Sequence, residues 1–260
     1  MRFKYARRAS QGARSYQEDA AAVEPGPAAS RVEPSGGQGD VGALTAVLAD
    51  GMGGHAGGAL ASDTACRTFL AAFAAGPGEI RVRLDRAMRA AYAAIAEQVT
   101  LNPTLSGMGC TLIGSVFGAP GIEWISVGDS PLFLVRDAEI ALLNEDHSLA
   151  PEIDKLAASG RISWDAARND PRRHFLRSAL TGGDIDLVDC SRRPLVLQAG
   201  DTVVLASDGI HTLAPHEILR LVAACRAAGP AAIADALIGA VDDAGEEYQD
   251  NTTVIVVTAS

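Results

Sequence analysis

The sequence predicts an α+β fold: two antiparallel sheets packed face to face, with a pair of helices outside each. Three observations carry this. Apolar segments run in the order strands, two helices, several strands, two helices, one strand, without the regular strand–helix alternation of a parallel sheet. The helical segments are apolar along one stripe, so each pair needs something to cover it. No linker or shift of composition divides the 260 residues, which predicts one domain over 1–260.

The elements follow in chain order. Residues 18–24 read as a short strand leading into a loop, and three prolines and five glycines between Pro25 and Gly42 predict a long surface loop. ALTAVLA (43–49) has the length and apolar character of a buried strand, and it runs straight into DGMGGHAGG. Ala61, Ala65, Phe69 and Phe73 then recur at every fourth position, with Asp63 and Arg67 off that face. Past Gly76-Pro77-Gly78, a second helix is predicted over about 79–99, because Ile80, Leu84, Met88, Ala91, Ile95 and Val99 trace one stripe. CTLIGSVF (110–117), IEWISVG (122–128), PLFLVRD (131–137) and EIALLN (139–144) predict an antiparallel meander. Residues 151–175 are polar, with short helical patches. TVVLAS (202–207) is a strand, 215–227 and 230–243 carry helical spacing, and TTVIVVTAS closes on a β-branched strand.

Composition narrows the function. Hydrophobic residues at 48% and charged residues at 21% fit a soluble globular chain. A net charge of −10 argues against nucleic acid as a partner. No apolar run reaches the ~18 residues a membrane span needs, and the basic start lacks the apolar segment of a signal peptide. Cys66, Cys110, Cys190 and Cys225 form no CxxC pair, so free thiols and a cytoplasmic setting are expected.

The acids carry the chemistry. Asp50 ends ALTAVLA, Asp129 ends IEWISVG, Asp208 ends TVVLAS, Asp250 precedes the last strand, and Glu18 and Asp19 flank the first. If these strand tips meet at one end of a sandwich, their carboxylates converge. Like charges at close range raise each other's pKa, so such a cluster calls for cations, and all-oxygen ligation selects Mg²⁺ or Mn²⁺. Singly, each aspartate reads as a turn residue; the pattern as a whole does not.

The motifs, in order, are RSYQED (14–19), ADGMGGHAGG (49–58), GCT (109–111), GDS (128–130), DHS (146–148), ASDG (206–209) and DNTT (250–253). Together they resemble the PP2C-type, or PPM, protein phosphatases of bacterial type, over nearly the whole chain. The resemblance implies a four-layer α-β-β-α sandwich and metal-dependent hydrolysis of phosphoserine and phosphothreonine. It implies two Mn²⁺ or Mg²⁺ ions, with a third as in bacterial members. Asp50 then matches the carboxylate bridging both metals and Gly51 a carbonyl ligand. Asp208 and Asp250 match further ligands of the first metal, and Glu18 and Asp19 match acids at the second. Asp129 with Asp208 matches a third site, and Arg14 matches the arginine that grips the substrate phosphate. Two close metals lower the pKa of a shared water, whose hydroxide attacks phosphorus in line, and a planar guanidinium fits phosphate bidentately.

His55 stands open between a proton donor to the leaving oxygen and a histidine at a helix start. His147 is expected to hold a turn; His174, His211 and His216 read as surface or packing residues. The family often has arginine after GDS, where this chain has Pro131, and asparagine where it has Gln17. Expected partners are phosphorylated proteins, targets of a bacterial serine/threonine kinase, with no nucleic acid or membrane partner and a monomeric enzyme. Residues 151–175 match the family's variable flap and are expected to be mobile and to select substrates.

Two other readings compete. Gly51 to Ala56 fits GxGxx[G/A] between a strand and a helix, but a dinucleotide site expects an acid about 20 residues on, where TFLAAFAA (68–75) has none. A pseudophosphatase that only binds phosphoproteins would show a lost metal ligand, and none is lost.

Overall fold

The computed structural model describes residues 1–26, 38–53, 56–183 and 185–260. In chain order the strands and helices are β1 (Phe3–Ser10), β2 (Ala20–Pro25), β3 (Gln38–Val41), β4 (Leu44–Ala49), β5 (Gly51–Met52), α1 (Ala56–Ala75), α2 (Ile80–Leu101), β6 (Gly109–Cys110), β7 (Leu112–Gly118) and β8 (Gly121–Val127). They continue with β9 (Leu132–Arg136), β10 (Glu139–Leu142), α3 (Ala150–Ala158), α4 (Trp164–Arg168), β11 (Asp189–Cys190), β12 (Thr202–Ala206), α5 (Pro215–Cys225), α6 (Pro230–Ala244) and β13 (Thr252–Ala259). One sheet has the order β10-β9-β12-β13-β1-β3 and the other β11-β8-β7-β4-β2, and every pairing is antiparallel.

Strand alternation divides the apolar side chains into layers. Along β13, Ile255 and Val257 enter the core between the sheets, while Val254 and Val256 face α5 and α6. Along β4, Leu44, Ala46 and Leu48 face the other sheet, while Val47 and Ala49 meet α1 and α2. Both faces of these strands are covered, which is why they read as unbroken apolar runs. The predicted α-β-β-α sandwich is the fold observed.

Two expectations are corrected, and one strand is unanticipated. The predicted meander over 110–144 is two hairpins in different sheets: β7 pairs with β8 and β9 with β10, while β8 and β9 do not pair. The chain crosses between sheets at Gly128–Pro131. The predicted loop from Pro25 to Gly42 contains β3, an edge strand on β1; its residues 27–37 lie outside those described. The basic N-terminus forms β1, a central strand whose Arg8 pairs with Asp235 of α6 at 2.5 Å.

Candidate metal centre and active site

Sheet register brings the acids to one end. Ala20 pairs with Ala49, so Glu18 and Asp19 lie beside Asp50 as β2 begins and β4 ends. Leu48 pairs with Ile113 and Leu112 with Val127, which carries the same end to Thr111 and Asp129. In the other sheet Ala206 pairs with Val254, so Asp208 and Asp250 flank that edge. Glu18, Asp50, Asp129, Asp208 and Asp250 accordingly line one cleft of about 590 Å³, with Arg14, Gly51, His174 and Phe175. His55 lies outside the described residues.

Polar side chains set each acid in place. Thr111 Oγ1 accepts the Asp50 N–H at 3.0 Å and lies 2.7 Å from Ser130 Oγ; the Thr111 N–H donates to Asp50 O at 2.9 Å. The Asp208 N–H donates to Asp50 Oδ2 at 3.3 Å. Ser207 Oγ donates to Asp19 Oδ2 at 2.7 Å, and Asn251 Oδ1 accepts the Glu18 N–H at 2.7 Å. Arg14 pairs with Asp250 Oδ2. Gly51 is required where it stands: a Cβ there would lie 2.4 Å from both Glu18 O and Gly58 O.

The crossover that presents Asp129 is pinned by two buried side chains. Asn144 Oδ1 accepts the Leu132 N–H at 2.8 Å, and its amide donates to Ser130 O at 2.9 Å. His147 Nδ1 accepts the Gly128 N–H at 3.2 Å, so it holds a turn as expected; burial lowers its pKa. Gly128 has φ 104°, and a Cβ would lie 2.6 Å from the Thr111 methyl. Pro131 leaves its carbonyl to accept the Ala206 N–H at 3.0 Å, so the departure after GDS keeps the crossover joined to β12. Thr111, Asn144, Ser207 and Asn251 went unassigned in the sequence, although the GCT, ASDG and DNTT motifs contain three of them. His174, expected on the surface or in packing, lines the cleft.

The crowding shows in proton affinity. Burial first, then Asp208, Asp19 and Asp129, holds Asp50 well above the usual carboxylate range. Burial, with Asp208 and Asp250, pushes Asp19 up to about 6; burial, with Asp208 and Asp146, pushes Asp129 up to about 7. Burial and Asp250 raise Asp208.

These residues fit hard divalent cations. The donor set is all oxygen, the acids repel one another, and Asp19 Oδ1 is buried with no hydrogen-bond partner among the described residues. Among the described residues no three His, Cys, Asp or Glu side chains form a ready-made metal shell. Asp250 is turned to Arg14 and Asp19 to Ser207, so the fit lies in residue type and position.

A family model described as Protein phosphatase 2C matches residues 35–237. The chain belongs to the protein phosphatase 2C family. It is 31% identical over 217 residues to a serine/threonine phosphatase stp of Listeria innocua, covering 81% of this chain and 82% of that one. It is 36% identical over 170 residues to the serine/threonine protein phosphatase PstP of Mycobacterium tuberculosis; that match covers 65% of this chain and spans 32% of the relative's length. The fold superimposes on a crystal structure of the PstP catalytic domain in complex with two manganese ions, with a TM-score of 0.76, 30% identity and 99% of each chain covered. In this family setting, the decoy dinucleotide motif opens on Gly51 and Met52 in β5, which follows Asp50 and pairs with β6.

Proposed function

We propose that this chain is a metal-dependent phosphatase acting on phosphoserine and phosphothreonine in proteins, as one domain over 1–260. The observation that carries the reading is the convergence of Glu18, Asp50, Asp129, Asp208 and Asp250 with Arg14 in one cleft. When bound, two Mn²⁺ or Mg²⁺ ions supply positive charge for phosphate oxygens and lower the pKa of a shared water toward neutrality. Asp50, Asp208 and Asp250 would hold one ion, Asp50 with Glu18 and Asp19 would hold the other, and the Gly51 carbonyl would serve one of the two. Asp129 and Asp208 are the proposed ligands of a third, weaker ion.

Arg14 supplies the only guanidinium among the described residues of this cleft. Its half-exposed side chain is held toward the acids by Asp250, and its planar fork suits a phosphate. Residues 151–175 are the proposed substrate-selecting flap. Their α3 and α4 share a small core of Ile153, Ala157 and Ala167, apart from the main cores, and their C-terminal end leads into His174 and Phe175 at the cleft. The relatives' bacterial origin supports phosphoproteins made by a bacterial serine/threonine kinase as substrates, and a cytoplasmic, monomeric enzyme is proposed. No helix among the described residues is long and apolar enough to cross a membrane.

The test is hydrolysis of phosphoserine, phosphothreonine and phosphotyrosine peptides with Mn²⁺ and with EDTA. Turnover of the first two, abolished by EDTA, is expected. EDTA-resistant turnover, or none with Mn²⁺, contradicts the reading.

A further inference from the structure

The acidic cleft continues past the carboxylates. Arg14, Asp129, His174, Asp208 and Asp250 line both the pocket described above and a second hollow of about 770 Å³. The two halves differ chemically. On the first side stand Met52, Phe175 and Leu176; on the second stand His211, Thr212, Glu246, Glu247 and Tyr248.

The wall of the second hollow is a turn between α6 and β13, and it is anchored. Its Gln249 is buried; Thr212 Oγ1 donates to Gln249 Oε1 at 2.6 Å, Gln249 Nε2 donates to Gly209 O at 3.2 Å, and Gln249 O accepts the Ala13 N–H at 2.8 Å. This turn presents Tyr248 with 82% of its surface exposed, the most exposed large hydrophobic side chain among those described. Glu246 and Glu247 are also exposed, and among the described residues neither enters an ion pair. An uncovered aromatic ring beside two uncompensated carboxylates, in a hollow open to the reacting centre, marks a contact surface.

A peptide whose phosphate lies beside Arg14 has to leave the pocket along the cleft. An extended chain advances about 3.3 Å per residue, so the neighbours of the phosphorylated residue reach the second hollow within a few positions. We propose that this hollow binds the residues on one side of the phosphorylated residue and selects a basic one. The charge of that Lys or Arg is met by Glu246 and Glu247, and the side chain lies across the Tyr248 ring. The proposal rests on the phosphatase reading above and adds the substrate class: phosphopeptides with a flanking cation. Acidic neighbours are repelled at the same place, which gives the cleft a direction as well as a preference.

The experiment uses labelled phosphothreonine-mimic peptides carrying a non-hydrolysable phosphonate, with Arg, Ala or Glu scanned through the flanking positions. Fluorescence anisotropy reads binding, so the result does not depend on turnover. At one or two positions on one side, wild type should bind the Arg peptide about fivefold to tenfold tighter than the Ala peptide, the size expected from an exposed ion pair joined to a cation–π contact. That ratio should fall toward one in E246Q/E247Q, shrink in Y248A, and decline in high salt. A ratio unaltered in E246Q/E247Q, equal affinity for Arg and Ala peptides, or no peptide binding overturns the proposal. Wild-type hydrolysis of a small aryl phosphate with Mn²⁺ is measured alongside. Discrimination without hydrolysis removes the phosphatase reading alone, and hydrolysis without discrimination removes the subsite alone.

Discussion

Asp50 takes repulsion from Asp208, Asp19 and Asp129 at once, which is the reason to regard it as the hub of the site. Asp50→Ala should reduce kcat/KM by about a hundredfold or more, since losing even an outer partner of a metal site costs 10–100-fold. Steady-state kinetics in Mn²⁺ check this. Arg14→Ala should raise KM about tenfold or more, the worth of a hydrogen bond to a charged group, and Arg14→Lys should recover only part of it because a point charge is not a fork. Unaltered KM and kcat in Arg14→Ala would remove it from phosphate binding. Asp129 gives a pH test. Its pKa rises from 3.8 to about 7 on folding, so the folded chain keeps a proton that the unfolded chain has released. In EDTA this linkage favours the fold at low pH and is lost as pH climbs through that window. Asp129→Asn should therefore melt like wild type at pH 4 and at a higher temperature than wild type at pH 8. Melting curves separated equally at both pH values would contradict the assigned crowding.

Among elements, the Gly128–Pro131 crossover does most to build the site, and it was the least legible. The acids at strand tips could be read from the sequence because a carboxylate next to an apolar run stands out. The crossover could not, because β8 and β9 are short, apolar and separated by a few residues, as the strands of a hairpin are. Which sheet each joins is decided by distant partners: β4 pairs with β7 and so places the β7–β8 hairpin, and β12 pairs with β9. β1 escaped for a related reason. Lys4, Arg7 and Arg8 hide its apolar residues, and the Arg8–Asp235 pair that settles one of those charges joins positions 227 residues apart. Asn144 is the element's clearest test. Asn144→Ala would leave the buried Leu132 N–H without its acceptor and should cost about 1–3 kcal/mol in urea unfolding. A cost near zero would show that the crossover does not depend on that side chain.

At the scale of the molecule, two sheets clad in helices hold the strand tips rigidly at one end, and the loops there carry the chemistry. The order of motifs and elements made the sandwich legible, because both-face burial leaves long apolar runs. The three-dimensional meeting of the acids was an inference from their shared position at strand ends. Residues 151–175, the proposed flap, carry a small core of their own, with Arg173 held to Asp154 at 2.5 Å. Exchanging 151–175 for a relative's segment should alter preference among phosphopeptides more than the rate on a small aryl phosphate; equal changes on both would make the segment structural. The proposed function requires that this end of the sandwich hold divalent cations through Asp50 and hydrolyse phosphoproteins by means of them. Calorimetric titration of Mn²⁺ into wild type and Asp50→Ala, with phosphothreonine-peptide hydrolysis followed in the same samples, tests it most directly. Two bound ions and metal-dependent turnover are expected in wild type, with tight binding and turnover lost together in the variant. Near wild-type turnover in Asp50→Ala, or turnover in wild type that persists after Mn²⁺ is stripped, would contradict it.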